Sequence, residues 1–276
     1  MELESELRVR YLELMQRCLT RSIDDKLYST HEMFFKGWLG NILNPLIVRY
    51  LRKRNLEVVS SSTWYDRRDG TDWPVNAETM VGLKRLRNVK ESLETCIFEN
   101  IPGDFVECGV WRGGASIMAS ATLIAYGEDD KRDIWACDSF EGLPKPVCSL
   151  DKGDFHWSVE TLKVSQIDVM KNFEKYMVNN ANVNFIKGWF GQTLPLLPVE
   201  KIAVLRLDGD MYQSTWEILT SLYEKVVPRG FVIIDDYYSC EQCRIAFDDF
   251  SNNNSVIIED GVVVDNACFC FRKGIG

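Results

Sequence analysis

Ile202-Ala-Val-Leu-Arg-Leu-Asp208-Gly-Asp210 and Gly230-Phe-Val-Ile-Ile-Asp235-Asp236 decide how this chain folds. Each is a short aliphatic run that stops abruptly in acid, the pattern of a strand buried on both faces with carboxylates at its C-terminal tip. Ser214 to Val227 reads as one helix between them, so the two form a strand-helix-strand unit whose acidic tips point the same way. In an open α/β sheet, ligands lie just beyond such tips. Convergent carboxylates repel one another unless a cation sits between them, and an all-oxygen set suits Mg²⁺ or Ca²⁺. The first expectation is a metal-assisted reaction. A single acid could merely cap a turn, but four on adjacent tips ask for more.

Upstream, Asp104-Phe-Val-Glu107-Cys reads as a buried strand, followed by Gly109-Val110-Trp111-Arg-Gly-Gly114 and a helix of small and apolar residues, Ala115 to Ala125. Strand, glycine turn and helix make a nucleotide-type loop. It is neither G-x-G-x-x-G nor a Walker loop, and an acid, Glu107, stands two residues before its first glycine. A second strand, Asp133 to Cys137, ends in Asp138, placed to accept hydrogen bonds from ribose hydroxyls. Ser139-Phe140-Glu141-Gly142-Leu143-Pro144 would then turn across an adenosine. Lys145 to Ser158 is a polar loop whose His156 is a candidate substrate contact, and Val159 to Met177 has helical spacing. Val183 to Lys187 is a third strand before Gly188-Trp189-Phe190. Cys243 to Phe250 reads as a helix, and Val256–Glu259 with Cys268–Arg272 as an antiparallel pair across a turn at Asp260-Gly261.

The N-terminal region differs. Leu3 to Leu19 has the spacing of an amphipathic helix, and Phe34 to Arg54 is a second helical pattern with a basic end. Asn41, Asn44 and Pro45 interrupt its apolar face, so it reads as packed on its own domain or at a subunit interface rather than on a membrane. Ser60 to Pro74 reads as a linker or mobile flap. Residues 1–75 are thus expected to form a helical extension, a lid or oligomerisation segment, ahead of one α/β domain at 76–276.

At 276 residues with 46% hydrophobic content the chain can bury a sizeable core. A formal charge of −9 without a Lys/Arg stripe argues against a nucleic-acid partner. No apolar run reaches about 18 residues, and the acidic start is unlike a signal peptide, so a soluble, cytoplasmic protein is expected. Nine scattered cysteines, several in strands, read as free thiols. Cys240-x-x-Cys243 with Cys268-x-Cys270 lacks zinc-knuckle spacing.

These motifs resemble the class I S-adenosylmethionine methyltransferases, and more narrowly the macrocin-type sugar O-methyltransferases of antibiotic biosynthesis. The resembling stretches are Asp72-Trp-Pro, Thr79-Met80-Val-Gly82, Gly103 to Gly114, Asp138 to Pro144, Gly188-Trp-Phe190, Thr193-Leu-Pro195, Arg206 to Tyr212, Asp235-Asp-Tyr237 and Cys243-Arg244, in the family's order. The resemblance implies a Rossmann-like fold: a mostly parallel central sheet flanked by helices, with an antiparallel C-terminal strand. It implies S-adenosylmethionine as cofactor, surrounded by Thr79 and Met80, Glu107, Gly109 to Trp111, Asp138 to Gly142, Gly188 to Phe190 and Asp208. It further implies Mg²⁺ on Asp208, Asp235 and Asp236, Asp210 as general base, and a homo-oligomer. Tyr212 and Tyr237, within matched motifs, join His156 as candidate substrate residues. Two places depart from the pattern: Ser116-Ile-Met-Ala-Ser120 lacks an expected arginine, and His31 to Ser62 looks unlike the family's members, so the acceptor is left open.

The expected chemistry is methyl transfer to oxygen. An alcohol is a poor nucleophile at neutral pH, so a cation bridging two adjacent hydroxyls and a base at Asp210 would serve a diol-bearing acceptor, a sugar first and a catechol second. The rivals are weaker. A haloacid dehalogenase-type phosphatase needs its Asp pair at the first strand, a nicotinamide oxidoreductase needs the missing glycine fingerprint, and a non-catalytic scaffold should have lost one of the acids.

Overall fold

The strongest apolar runs pair into one seven-stranded sheet in the computed structural model, which describes residues 2–30, 37–154, 156–179 and 182–275. The helices in chain order are α1 (Glu2–Thr20), α2 (Gly37–Arg52), α3 (Trp64–Asp69), α4 (Gly82–Phe98), α5 (Gly114–Tyr126), α6 (Gln166–Lys175), α7 (Phe190–Thr193), α8 (Tyr212–Leu222) and α9 (Glu241–Asn254). The strands are β1 (Leu27–Thr30), β2 (Val59–Ser62), β3 (Asp104–Cys108), β4 (Ile134–Asp138), β5 (Val183–Lys187), β6 (Ile202–Leu207), β7 (Val226–Ile234), β8 (Ile258–Val263) and β9 (Phe269–Lys273). Strands β1 and β2 form a separate antiparallel pair; the main sheet runs β5-β4-β3-β6-β7-β9-β8. Its first five strands are parallel, and β9 and β8 close it antiparallel.

Strand order reverses between β3 and β6, which opens a crevice at their C-terminal ends. Register then aligns the acidic tips. Cys108 lies beside Leu207 and Leu207 beside Ile234, so Gly109, Asp208 and Asp235 leave the sheet together. The ladder continues one step further, with Asp208 N donating to Cys108 O at 2.8 Å and Asp235 N to Leu207 O at 2.9 Å.

Apolar side chains fill both faces of the sheet. Leu86, Val89 and Leu93 of α4 and Ile117 and Met118 of α5 cover one; Ile218 and Leu222 of α8 and Phe247 and Phe250 of α9 cover the other. Leu12, Met15 and Leu19 of α1 join the first cluster, so the opening helix is part of the core.

The expected boundaries shift in five places. The stretch read as a linker, 60–74, is a built unit: Thr63 and Asp66 form a capping box for α3, Gly70 ends it in the left-handed region, and buried Arg67 pairs with Asp72 at 2.7 Å. Arg67 also donates to Thr20 O at 2.6 Å and Tyr28 O at 3.1 Å, tying the segment to α1 and β1. Of the helix expected at Phe34–Arg54, Gly37–Arg52 is present and runs through Pro45; Phe34 to Lys36 lie outside the described residues. The helix expected at Val159–Met177 begins only at Gln166, because Ser165 caps it by accepting from Asp168 N after two 3₁₀ turns. β7 begins at Val226, so α8 ends at Leu222. Finally, Asp260-Gly261 is a bulge inside β8, with Asp260 at φ 47°, and the chain turns instead at Asp265, whose Oδ1 accepts from Ala267 N and Cys268 N at 2.9 Å each. All nine cysteines are free thiols.

Candidate active site

The crevice is a cavity of about 1420 Å³. Its floor is set by the close approach of β3 and β6: a Cβ on Gly109 (φ +96°) would lie 1.9 Å from Asp208 O, so only glycine lets the two tips meet. Beyond β6, the chain makes a tight turn through Gly209, with Met211 N donating to Gly209 O at 2.5 Å and Asp210 at φ 53°. This turn swings Asp210 back beside Asp208. Asp236, one residue past the tip of β7, completes the group: one oxygen from each of Asp208, Asp210 and Asp236 lies within 4.8 Å of the others. Among the described residues this is the only set of side chains spaced as metal ligands, and Cys240, Cys243, Cys268 and Cys270 form none.

Asp235 is held differently. It is 2% exposed, and its oxygens contact Arg206 Nη2 and Arg85 Nη1, each at 2.6 Å. Arg206 also reaches Glu107 at 2.7 Å and Asp208 at 2.9 Å, and Arg85 Nε reaches Asp265 at 2.8 Å. The two arginines thus tie down Asp235, Glu107 and Asp265 beneath the floor and touch Asp208 from one side, while Asp210 and Asp236 have no arginine in these contacts. Ligation by Asp235 would require it to exchange an arginine contact.

The charges respond to this division. Burial, then the neighbouring charge of Asp208, raises Asp210 to about 7, although a hydrogen bond with Asp236 opposes the shift. Burial, then Asp210, raises Asp236 to about 7. Asp208 is raised by burial and by Asp235. For Asp235 burial pushes upward, but Arg206 and Arg85 together bring it below the ordinary carboxylate range. Three acids that resist ionising together, with oxygens converging on one point, are the donor set a hard divalent cation relieves.

On the other side of the cavity lie the residues expected at the methyl donor. Glu107 is 1% exposed, fixed by Arg206 and by the Ser116 hydroxyl, and burial raises it to about 7. It forms the inner wall with Gly109, Val110 and Trp111. Asp138 also lines the cavity, yet its oxygens accept from the backbone N–H groups of Val110 and Phe140, each at 2.7 Å, so it shapes the loops that a ribose would touch. Thr79, Met80, Ser139, Gly142, Gly188, Trp189 and Phe190 line the same space. Phe140 does not: at φ 54° its ring turns into the hydrophobic core.

Of the candidate substrate residues, His156 lines the cavity, its Nδ1 3.2 Å from Asp154. Tyr212 and Tyr237 turn away. The Tyr212 hydroxyl donates to Asp249 at 3.1 Å with its ring stacked on Trp216, and the Tyr237 hydroxyl donates to Asp248 at 2.9 Å among aromatic neighbours. Both face α9, where their rings escape water and their hydroxyls keep partners.

Sequence reasoning passed over Arg85, Arg206 and Asp151. Arg206 carried a signal, a lone charge inside an apolar strand, which must be paired when buried. Asp151, 1% exposed, accepts from Tyr212 N at 2.7 Å and Gln213 N at 3.1 Å. It caps α8 across 61 residues, where the helix's own N-cap, Met211, offers no side-chain acceptor. No local pattern announces such a contact.

The chain is similar to known proteins. The family model described as macrocin-O-methyltransferase (TylF) matches residues 8–273. The chain is 46% identical over 188 residues to the demethyldecarbamoylnovobiocin O-methyltransferase of Streptomyces niveus, covering 67% of this chain and 71% of that protein. It is 40% identical over 214 residues to the mycinamicin III 3''-O-methyltransferase of Micromonospora griseorubida, covering 75% and 83%. The solved structure of the O-methyltransferase NovP superposes with a TM-score of 0.80 at 33% identity, over 97% of this chain and all of that one. Its fold is the one described above.

Proposed function

The chain belongs to the macrocin-O-methyltransferase family, and from that premise we propose that it transfers a methyl group from S-adenosylmethionine to a sugar hydroxyl that has a hydroxyl neighbour, with help from a divalent cation. The observation that carries the proposal is the convergence of Asp208, Asp210 and Asp236 within 4.8 Å at the strand tips, beside the Gly109–Gly114 loop.

Mg²⁺ would be held by Asp208 and Asp236, with Asp235 braced behind them between the two arginines, and when bound it would supply Lewis acidity that makes an acceptor hydroxyl easier to deprotonate. S-adenosylmethionine supplies the electrophilic methyl group and would lie along Thr79, Met80, Glu107, Gly109–Trp111 and Gly188–Phe190. Asp210 accepts the proton that the attacking hydroxyl loses. Burial and the neighbouring charge of Asp208 raise its pKa in the metal-free site, which makes it a stronger base than an ordinary carboxylate. The walls fix both reactants in line, which removes much of the entropic barrier.

The charge of the cavity favours a sugar already joined to a neutral aglycone over a nucleotide sugar. Arg85 and Arg206 are committed to buried carboxylates, and Lys163 pairs with Glu160 at 2.6 Å. Lys145, over the ring of Trp157, is the other lysine of the wall. Against so many acids these offer little to a diphosphate. The volume, above the roughly 300–1,000 Å³ of a typical small-molecule site, accommodates donor and glycoside together.

The test is calorimetric titration with S-adenosylmethionine, followed by assay of a panel of glycosides and nucleotide sugars with Mg²⁺ or EDTA. Asp208→Asn and Asp236→Asn should each abolish turnover while donor affinity stays within about tenfold of wild type, a change under 1.4 kcal/mol. Full activity in both variants would overturn the reading. A folded wild-type protein that binds no donor would instead support a scaffold role.

A further inference from the structure

The glycine loop contains one side chain that neither the donor nor the metal reading uses. Arg112 sits between Trp111 and Gly113, and its Nη1 donates to three backbone carbonyls of one short segment: Pro74 O at 3.2 Å, Val75 O at 2.9 Å and Ala77 O at 2.9 Å. That segment leads directly into Glu78, Thr79 and Met80 on the cavity wall. A second tie runs beside the first, because Gly114 N donates to Glu78 O at 2.9 Å. The approach is close enough that a Cβ on Gly114 would lie 2.5 Å from Thr79 Cβ and 2.6 Å from Glu78 O. Arg112 is itself held from outside, since Asn172 Nδ2 donates to Arg112 O at 2.9 Å, and its guanidinium lies 4.2 Å over the Trp111 ring.

A guanidinium that gathers three carbonyls of one irregular segment has no carboxylate partner in these contacts; what it does is fix the path of that backbone. Adjacent Trp111 fastens the opposite side, its Nε1 donating to Thr161 O at 2.9 Å. The two consecutive side chains of the loop thus hold the two segments that flank the donor side of the cavity.

We propose that Arg112 is a positioning residue for the methyl donor, holding the 74–80 segment so that Thr79 and Met80 face the Gly109–Gly114 loop. The inference rests on the donor-site reading above. Arg112 touches no reacting atom in this role. It acts through the backbone, by presetting the wall against which the donor lies, so that binding does not have to order that segment.

The experiment is calorimetric titration of S-adenosylhomocysteine, and separately of Mg²⁺, into wild type, Arg112→Met and Arg112→Lys. Losing the charge-assisted bonds to the segment should weaken S-adenosylhomocysteine binding about tenfold or more in Arg112→Met. Arg112→Lys, which keeps a cation able to reach part of the carbonyl set, should recover part of that affinity. Mg²⁺ affinity should stay within about twofold of wild type in both variants, because the acids stand on β6 and β7, which a general loss of structure would not spare. Hydrogen exchange should show faster exchange at residues 76–81 in both variants. If Arg112→Met does not fold, Arg112→Lys and its exchange pattern decide. Wild-type affinity for S-adenosylhomocysteine in a folded variant, or equal loss of both ligands, overturns the proposal. Failure of wild type to bind S-adenosylhomocysteine would overturn the donor-site reading itself, and the inference with it.

Discussion

Replacing Arg206 by methionine isolates the charge balance on which the site stands. Arg206 is 1% exposed and contacts Glu107 at 2.7 Å, Asp208 at 2.9 Å and Asp235 at 2.6 Å. Without it Asp235 keeps Arg85 at 2.6 Å and Asp208 keeps its opening to the cavity, but Glu107 loses its ion pair and keeps only its hydrogen bonds to Ser116 among the described contacts. Breaking a buried ion pair from one side costs about 3–5 kcal/mol. In a chain of this size that corresponds to a fall in Tm of roughly 6–20 °C. The loss must depend on pH. Asp235 is depressed in the folded protein, so its contribution is present above the ordinary carboxylate pKa and is lost as pH falls. In the variant the folded state holds on to protons that the unfolded chain releases, and the penalty grows as pH rises out of the carboxylate range. Urea unfolding of metal-free protein at pH 5 and pH 8 measures it. The larger loss is expected at pH 8, with partial recovery in Arg206→Met/Glu107→Gln. A loss below about 1 kcal/mol at pH 8, within the range of an ordinary surface substitution, or one identical at both pH values, would refute the reasoning.

Four further outcomes are expected. Mg²⁺ binding should tighten from pH 6 to pH 8 and release protons, because Asp210 and Asp236, raised to about 7, hold protons below that value and must lose them to a cation; calorimetry in two buffers of different ionisation enthalpy reads the protons directly, and a pH-independent affinity would contradict it. The same shifts make metal-free protein less stable as pH rises from the carboxylate range to about 7, since the unfolded chain ionises first, a trend that thermal unfolding at constant ionic strength follows. Gly109→Ala should lose both donor and metal binding, as its Cβ would stand 1.9 Å from Asp208 O and force the tips of β3 and β6 apart; retention of either ligand would show that the tips can separate independently. Asp151→Ala should cost about 1–2 kcal/mol, the value of a helix cap, and raise KM for the acceptor more than for the donor, because it also releases the 145–158 loop from α8.

What the sequence by itself determined is local in origin. A strand buried in a parallel sheet must be a short aliphatic run, so β3, β4, β6 and the end of β7 could be read from composition alone, and with them Gly109, Asp138, Asp208 and Asp235 at their tips. The glycine loop declared itself because only that residue tolerates the approach made at Gly109 and Gly114. The tertiary structure decided how the acids divide: Asp208, Asp210 and Asp236 converge, while Asp235 goes to Arg85, which lies 150 residues away in sequence on α4. It also turned Phe140, Tyr212 and Tyr237 out of the cavity, and brought in Asp151 to cap a helix whose own sequence lacks a cap. Spacing along a strand fixes which face a residue takes, because the backbone repeats every two residues. The partner of a buried charge is fixed only by what the rest of the chain brings within hydrogen-bonding reach, since that charge must be compensated wherever the compensating group comes from.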